Sequence, residues 1–128
     1  MKILIVDDEP HLRTLILQSL EELEDEGVDL FIAANGEEAL DTIRKEEPNL
    51  VFLDVMMPRK NGFDVCRAVK HELGLSHIHI ILLTAKGQEF DRQLGQEVGA
   101  DLYMTKPFDP DALVAKARSV LGLPTVGR

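Results

Sequence analysis

The sequence predicts an α/β domain built on a doubly wound, five-stranded parallel sheet. Three observations predict it. Short β-rich apolar runs alternate with longer stretches of helical periodicity, five times over. Three of the runs are continuously apolar rather than alternating, which suits strands buried on both faces. Each run is followed by a helix, and right-handed crossovers then make the strands parallel, with helices on both sides. The 128 residues are enough for one hydrophobic core and too few for two.

The first strand is Ile3-Leu4-Ile5-Val6. A helix follows, with Leu12, Leu15, Ile16, Ser19, Leu20 and Leu23 at helical spacing and Pro10 where a first turn tolerates it. The acidic run from Glu21 to Glu26 reads as the solvated end of that helix. Leu30-Phe31-Ile32-Ala33 is the second strand, and Ala39, Leu40 and Ile43 mark a helix starting after Asn35-Gly36. Leu50-Val51-Phe52-Leu53 is the third strand; its helix carries Phe63, Cys66, Val69 and Leu73, with Cys66 as a core filler. The fourth strand is Ile80-Ile81-Leu82-Leu83. The helix after it, around Phe90 to Val98, is interrupted by Gly95 and ended by Gly99. Leu102-Tyr103-Met104 is the fifth strand. The last helix begins at Asp109, an N-cap ahead of Pro110, and carries Leu113, Val114, Ala117 and Leu121. Residues 1–122 read as the domain and 123–128 as a tail or a truncated linker.

Composition narrows the function. Fourteen Lys+Arg against twenty-three Asp+Glu leave a net charge of −9, which repels phosphate backbones and anionic membranes. Direct nucleic-acid binding and membrane association are therefore not expected. No apolar run approaches the ~20 residues of a spanning helix, and Asp7 and Asp8 interrupt the N-terminal apolar run too early for a signal peptide. A single cysteine excludes an internal disulfide. A cytoplasmic domain is the expectation.

In an open α/β sheet, ligands sit beyond the carboxyl ends of the strands. Strand one ends in Asp7-Asp8-Glu9, strand three in Asp54 and strand four in Thr84, while strand five runs into Lys106-Pro107. If strands one, three, four and five are neighbours, these converge on one pocket. Three carboxylates so close need a counter-charge, and a hard divalent cation such as Mg²⁺ supplies it. Lys106 adds a point charge for a phosphate oxygen and Thr84 a hydroxyl donor, completing the inventory of phosphoryl transfer to a carboxylate. Taken singly, each residue has an ordinary structural use: Asp8 or Glu9 as a helix cap, Asp54 in a turn, Thr84 at a strand end, Lys106 as a solvated charge. Agreement among four strand ends favours the functional reading.

Val6-Asp7-Asp8-Glu9-Pro10, Asp54-Val55-Met56-Met57-Pro58 with Gly62, Leu83-Thr84-Ala85, and Gly99-Ala100-Asp101 leading to Lys106-Pro107-Phe108 stand in one order along essentially the whole chain. On these motifs the sequence resembles the receiver domain of bacterial two-component response regulators. The resemblance implies a flavodoxin-like (βα)5 fold with strand order 2-1-3-4-5. It also implies a phosphorylation switch. Asp54 is then the phosphoacceptor, fed by a phosphohistidine of a sensor histidine kinase or phosphotransfer protein. Mg²⁺ is held by Asp8, Asp54 and the Met56 backbone carbonyl, with Asp7 acting largely through water. Lys106 pairs with Asp54 and then with a phosphoryl oxygen, which Ala85 also contacts. Thr84 turns inward to the phosphoryl group and Tyr103 follows from an exposed to a buried rotamer. The Lys106-Pro107 bond is expected to be cis. The surface that changes is the fourth helix, fifth strand and fifth helix, to which a loosened helix at Gly95 would contribute.

Family behaviour further assigns the tuning of phosphoryl loss to Met56 and Lys86. Met56 cannot orient a water by hydrogen bonding, so slow self-dephosphorylation is expected. Leu102 stands where winged-helix regulators often carry a second acid, which puts their charge-paired dimer in doubt here; the chain is expected as a monomer or a phosphorylation-induced dimer. His71, His77 and His79 form only a weak candidate metal group. The downstream partner or effector domain is not legible. The switch catalyses only its own phosphorylation and dephosphorylation. Two alternatives stand beside it: a Mg²⁺-dependent aspartyl-phosphate phosphohydrolase, which lacks an evident general base and cap, and a phosphorylation-independent docking module, which would not need the five site residues.

Overall fold

A computed structural model describes residues 1–85 and 97–124. Five strands, β1 (Lys2–Val6), β2 (Asp29–Ala33), β3 (Leu50–Asp54), β4 (His79–Ala85) and β5 (Leu102–Lys106), form one sheet in the order β2-β1-β3-β4-β5. Every pairing is parallel. Class and strand order agree with the expectation, and so does the alternation with helices α1 (Pro10–Leu20), α2 (Gly36–Glu46), α3 (Gly62–Arg67) and α4 (Pro110–Leu121). The helix expected around Phe90 to Val98, with Gly95 and Lys86, lies outside the described residues except at its end.

The continuously apolar strands are buried on both faces, as such a pattern requires. Ile3, Ile5, Leu50, Phe52, Ile81 and Leu83 point to one side, against Ile16 and Leu20 of α1 and Leu113 and Ala117 of α4. Leu4, Val6, Val51, Leu53, Ile80 and Leu82 point to the other, against Ala39, Leu40 and Ile43 of α2 and Val65 and Cys66 of α3. Each such side chain contributes about 1.5–3 kcal/mol by leaving water, so the three inner strands hold the scaffold. The edge strand β5, by contrast, leaves Leu102 and Tyr103 exposed.

Local chemistry starts the helices where the sequence places them. The Asn35 side chain accepts from the Glu38 N–H, and Glu38 reaches back to the Ala34 N–H. Asn61 and Asp64 form a reciprocal capping box at α3. Asp109 accepts from the Asp111 N–H ahead of α4. Two helices end differently from their periodicity. Helix α1 stops at Leu20 and tightens into a 3₁₀ turn over Glu21–Glu26, and α3 widens into a π turn over Ala68–Glu72.

The acids of this run are exposed, as expected of a solvated helix end, but the 3₁₀ turn also gives two of them a partner. Leu23 is buried in it, and Glu22 and Glu26 receive hydrogen bonds from the buried Arg118 guanidinium of α4. Arg118 is the cation that these acids serve, 92 and 96 residues away. Cys66 is buried, its thiol directed at the Val98 carbonyl, and burial pushes it up to about 12, so it behaves as a packing residue. No helix among the described residues is long and apolar enough to cross a membrane.

Candidate functional site

The strand order brings the expected residues to one end of the sheet. Asp7 follows β1, Asp54 closes β3, Thr84 lies near the end of β4 and Lys106 closes β5. Neighbouring β1 and β3 bring the acids together. The register pairs Asp54 with Leu83 and Ala85 with Lys106, so Lys106 lies two strands, roughly 10 Å, from β3. A lysine stem spans that gap. The Lys106 ammonium donates to Asp7 Oδ2 at 3.0 Å and to Asp54 Oδ1 at 3.1 Å.

Asp7 is fully buried and held at several atoms. Its N–H donates to the Ala33 carbonyl, and its Oδ1 accepts from the Glu9 N–H at 2.9 Å. Asp54 is 4% exposed, and its Oδ1 also accepts from the Met56 N–H at 3.3 Å. Asp8 is exposed. Neither Asp8 nor Glu9 caps α1 through its side chain: Glu9 stands at the cap position without a side-chain bond, and Pro10 opens the helix.

One carboxylate oxygen from each of Asp7, Asp8 and Asp54 lies within 4.8 Å of the others, and among the described residues no other group of three acids, histidines or cysteines meets in this way. The three histidines are therefore not brought together as ligands. His71 bonds the Glu97 carbonyl and His77 lies beside Glu47.

The electrostatics follow from burial. Asp54 is pushed up to about 6, first by loss of water around it and next by the neighbouring Asp7 charge, with Lys106 and the Met56 N–H pulling the other way. Burial alone would lower Lys106, but hydrogen bonding and charge from Asp7 and Asp54 outweigh it and leave its pKa raised. One ammonium thus faces three carboxylates, an imbalance that a hard cation with oxygen ligands relieves. The donor set fits Mg²⁺: the three clustered side chains offer hard carboxylate oxygens, and exposed Asp8 leaves an open side for coordinated waters.

The other expected site residues lie around this centre. Thr84 is buried, and its hydroxyl is 3.5 Å from the Met104 carbonyl, at the long limit of a hydrogen bond. Ala85 ends β4 in register with Lys106. Met56 is 58% exposed at the rim and Tyr103 is 39% exposed on β5. The Lys106-Pro107 bond is cis, as expected. Lys86 lies outside the described residues.

Two contributors were not legible from residue types. The Gly62 N–H donates to the Val55 carbonyl at 3.0 Å, and a Cβ on Gly62 would fall 2.5 Å from the Asp54 carbonyl oxygen. The spacing of Gly62 from Asp54 is a signal in the sequence, and the close approach of its Cα to the end of β3 is the physical cause. Arg13, on α1, donates to the Asp7 carbonyl at 2.7 Å. Nothing in its residue type or spacing distinguishes it from a solvated helix cation.

Comparison with known proteins agrees with this geometry. A family model described as "Response regulator receiver domain" matches residues 3–118. The chain is 48% identical over 120 residues to a probable transcriptional regulator, ycf27, of Porphyra purpurea, covering 94% of this chain and 47% of the relative. It is 44% identical over 120 residues to the alkaline phosphatase synthesis transcriptional regulatory protein PhoP of Bacillus subtilis, covering 94% of this chain and 48% of that protein. The chain therefore spans about half the length of these curated relatives. Among solved structures, the chemotaxis protein CheY4 of Vibrio cholerae superposes with a TM-score of 0.81 at 32% identity, over 93% of this chain and 97% of that one. A family match that runs from β1 into α4, with relatives of this identity, assigns the chain: it belongs to the response regulator receiver domains.

Proposed function

We propose that this chain is a phosphorylation-dependent switch in which Asp54 accepts a phosphoryl group from a phosphohistidine on a sensor histidine kinase or phosphotransfer protein. The observation that carries the reading is the Lys106 ammonium bridging buried Asp7 and Asp54 at 3.0 and 3.1 Å, with Asp8 beside them. A buried ion cluster of this kind is costly to maintain for stability alone. It suits a site where negative charge is to be added. Response regulators are signalling proteins, and catalysis here serves the chain's own modification.

An Asp54 carboxylate oxygen attacks phosphorus, and the bond from phosphorus to the histidine nitrogen breaks. The electron pair stays on the imidazole, which takes up a proton. As Asp54 becomes an acyl phosphate, Lys106 transfers its hydrogen bond to a phosphoryl oxygen. Asp7, Asp8, Asp54 and the Met56 backbone carbonyl would hold Mg²⁺, with Asp7 largely through water, and the bound ion would supply positive charge to offset that of the phosphoryl oxygens. The Thr84 hydroxyl, weakly bonded to Met104, turns to a phosphoryl oxygen, and Ala85 contacts the same group from β4. Tyr103 then moves from its exposed position to a buried one. The altered surface, made of the segment before β5, β5 itself and α4, regulates a downstream protein or effector domain.

Residues 1–122 form the receiver unit, in a chain that acts in the cytoplasm as a monomer or a phosphorylation-induced dimer. Intact mass after incubation with acetyl phosphate and Mg²⁺ tests the assignment. One added phosphoryl group is expected, absent without Mg²⁺ and absent in Asp54→Ala. Addition to Asp54→Ala at the wild-type level would overturn it.

The lifetime of that group is a separate expectation. Met56 is exposed at the rim and offers only a thioether, a weak acceptor that does not orient an attacking water. Met56→Asn should therefore lose phosphate faster, on the order of tenfold, which corresponds to about 1.4 kcal/mol in the barrier. Decay of the phosphorylated mass with time measures it, and an unchanged lifetime would sink the idea.

A further inference from the structure

We propose that Arg13 is a positioning residue for metal binding, acting through the peptide that joins Asp7 to Asp8; this rests on the Mg²⁺ reading above. Its guanidinium Nη1 donates to the Asp7 carbonyl oxygen at 2.7 Å from one turn into α1. That oxygen belongs to the Asp7-Asp8 peptide. Because a peptide unit is planar, holding its oxygen sets the direction of the Asp8 N–H and Cα. Holding Asp7 O therefore aims Asp8.

The two acids need this help unequally. Asp7 is buried, and three further bonds fix it: its N–H to the Ala33 carbonyl, Oδ1 from the Glu9 N–H and Oδ2 from Lys106. Asp8 is exposed and its side chain has no hydrogen bond to another described residue, yet its carboxylate takes part in the cluster within 4.8 Å. Packing does not orient Asp8, so its backbone must. A charge-assisted bond to the preceding carbonyl is a rigid way to do so. The residues behind metal ligands commonly act in this manner, and their loss weakens binding about tenfold or more.

The sign of the effect separates this role from simple electrostatics. Arg13 is a cation near a cation site, so removing its charge would by Coulomb's law tighten Mg²⁺ binding. Weakening on its removal has to come through geometry.

The test is a titration of the labelled chain with MgCl₂, followed by amide NMR spectra that report both affinity and the native fold. Arg13→Met should bind Mg²⁺ about tenfold more weakly with a native spectrum. Arg13→Lys, which keeps a cationic donor, should recover most of the loss. In an Asp8→Asn background, adding Arg13→Met should weaken binding little further, because the two act in series. Should Arg13→Met lose the native spectrum, Arg13→Gln, whose amide falls short of the Asp7 carbonyl, replaces it with the same expectation. Wild-type affinity or tighter in Arg13→Met, or in Arg13→Gln where it replaces it, would overturn the proposal, as would full additivity with Asp8→Asn. Failure of the wild-type chain itself to bind Mg²⁺ would instead strike at the metal reading beneath it.

Discussion

Gly62→Ala is expected to cost about 3 kcal/mol of stability and to disturb the site at the same stroke. The added methyl would sit 2.5 Å from the Asp54 carbonyl oxygen, 2.9 Å from the Val55 Cα and 3.1 Å from the Asp54 carbonyl carbon. All three are main-chain atoms at the end of β3, which is hydrogen-bonded between β1 and β4. A flexible side chain could swing aside; this backbone can move only by displacing Asp54 or lifting α3. Glycine is needed here for close approach, and its conformational freedom is incidental. Urea unfolding should show a lower midpoint with an unchanged slope, and phosphoryl uptake should slow because the proposed acceptor, Asp54, has shifted. A wild-type midpoint would mean that the β3–α3 junction yields more easily than its hydrogen bonds suggest.

Asp54→Asn is expected to stabilise the chain, with a gain that depends on pH. The carboxyl has its ordinary value of 3.8 in the unfolded chain and about 6 when folded. Between those values the native state holds a proton that the unfolded state has released. Wild-type stability therefore falls as pH rises from about 4 to about 6, and the whole penalty is present above that range. The rise from 3.8 to about 6 corresponds to about 3 kcal/mol, and the side chain is only 6% exposed, so water screens little of it. Asparagine stays neutral throughout. The variant should match wild type near pH 4 and exceed it by about 2–3 kcal/mol near pH 8. Added Mg²⁺ should narrow the gap by stabilising wild type alone. Urea midpoints at the two pH values measure it, and a difference that is the same at both would contradict this account of the buried acid.

These two expectations differ in how far the sequence foreshadows them. That Asp54 is a candidate site residue could be read from its place after an apolar strand, among three other strand ends with complementary groups. That its carboxyl is raised to about 6 depends on its burial beside Asp7, which the order β2-β1-β3-β4-β5 brings about. Likewise Gly62 was visible as part of a motif, while the clash that excludes a side chain exists only where α3 crosses the end of β3.

The strands, the helix starts and the candidate site residues that the sheet brings together were legible in the chain alone. Apolar runs such as Ile3 to Val6 need cover on both faces, and Asn35, Asn61 and Asp109 start helices through bonds to residues two or three positions on. Such causes lie within one turn or one strand and can be read locally. Long-range packing sets the rest: α1 ends in a 3₁₀ turn whose acids serve Arg118 across 92 and 96 residues, and Arg13 holds the Asp7 carbonyl. Those contacts depend on which faces meet once the sheet has closed, and residue type and spacing along the chain do not carry that information.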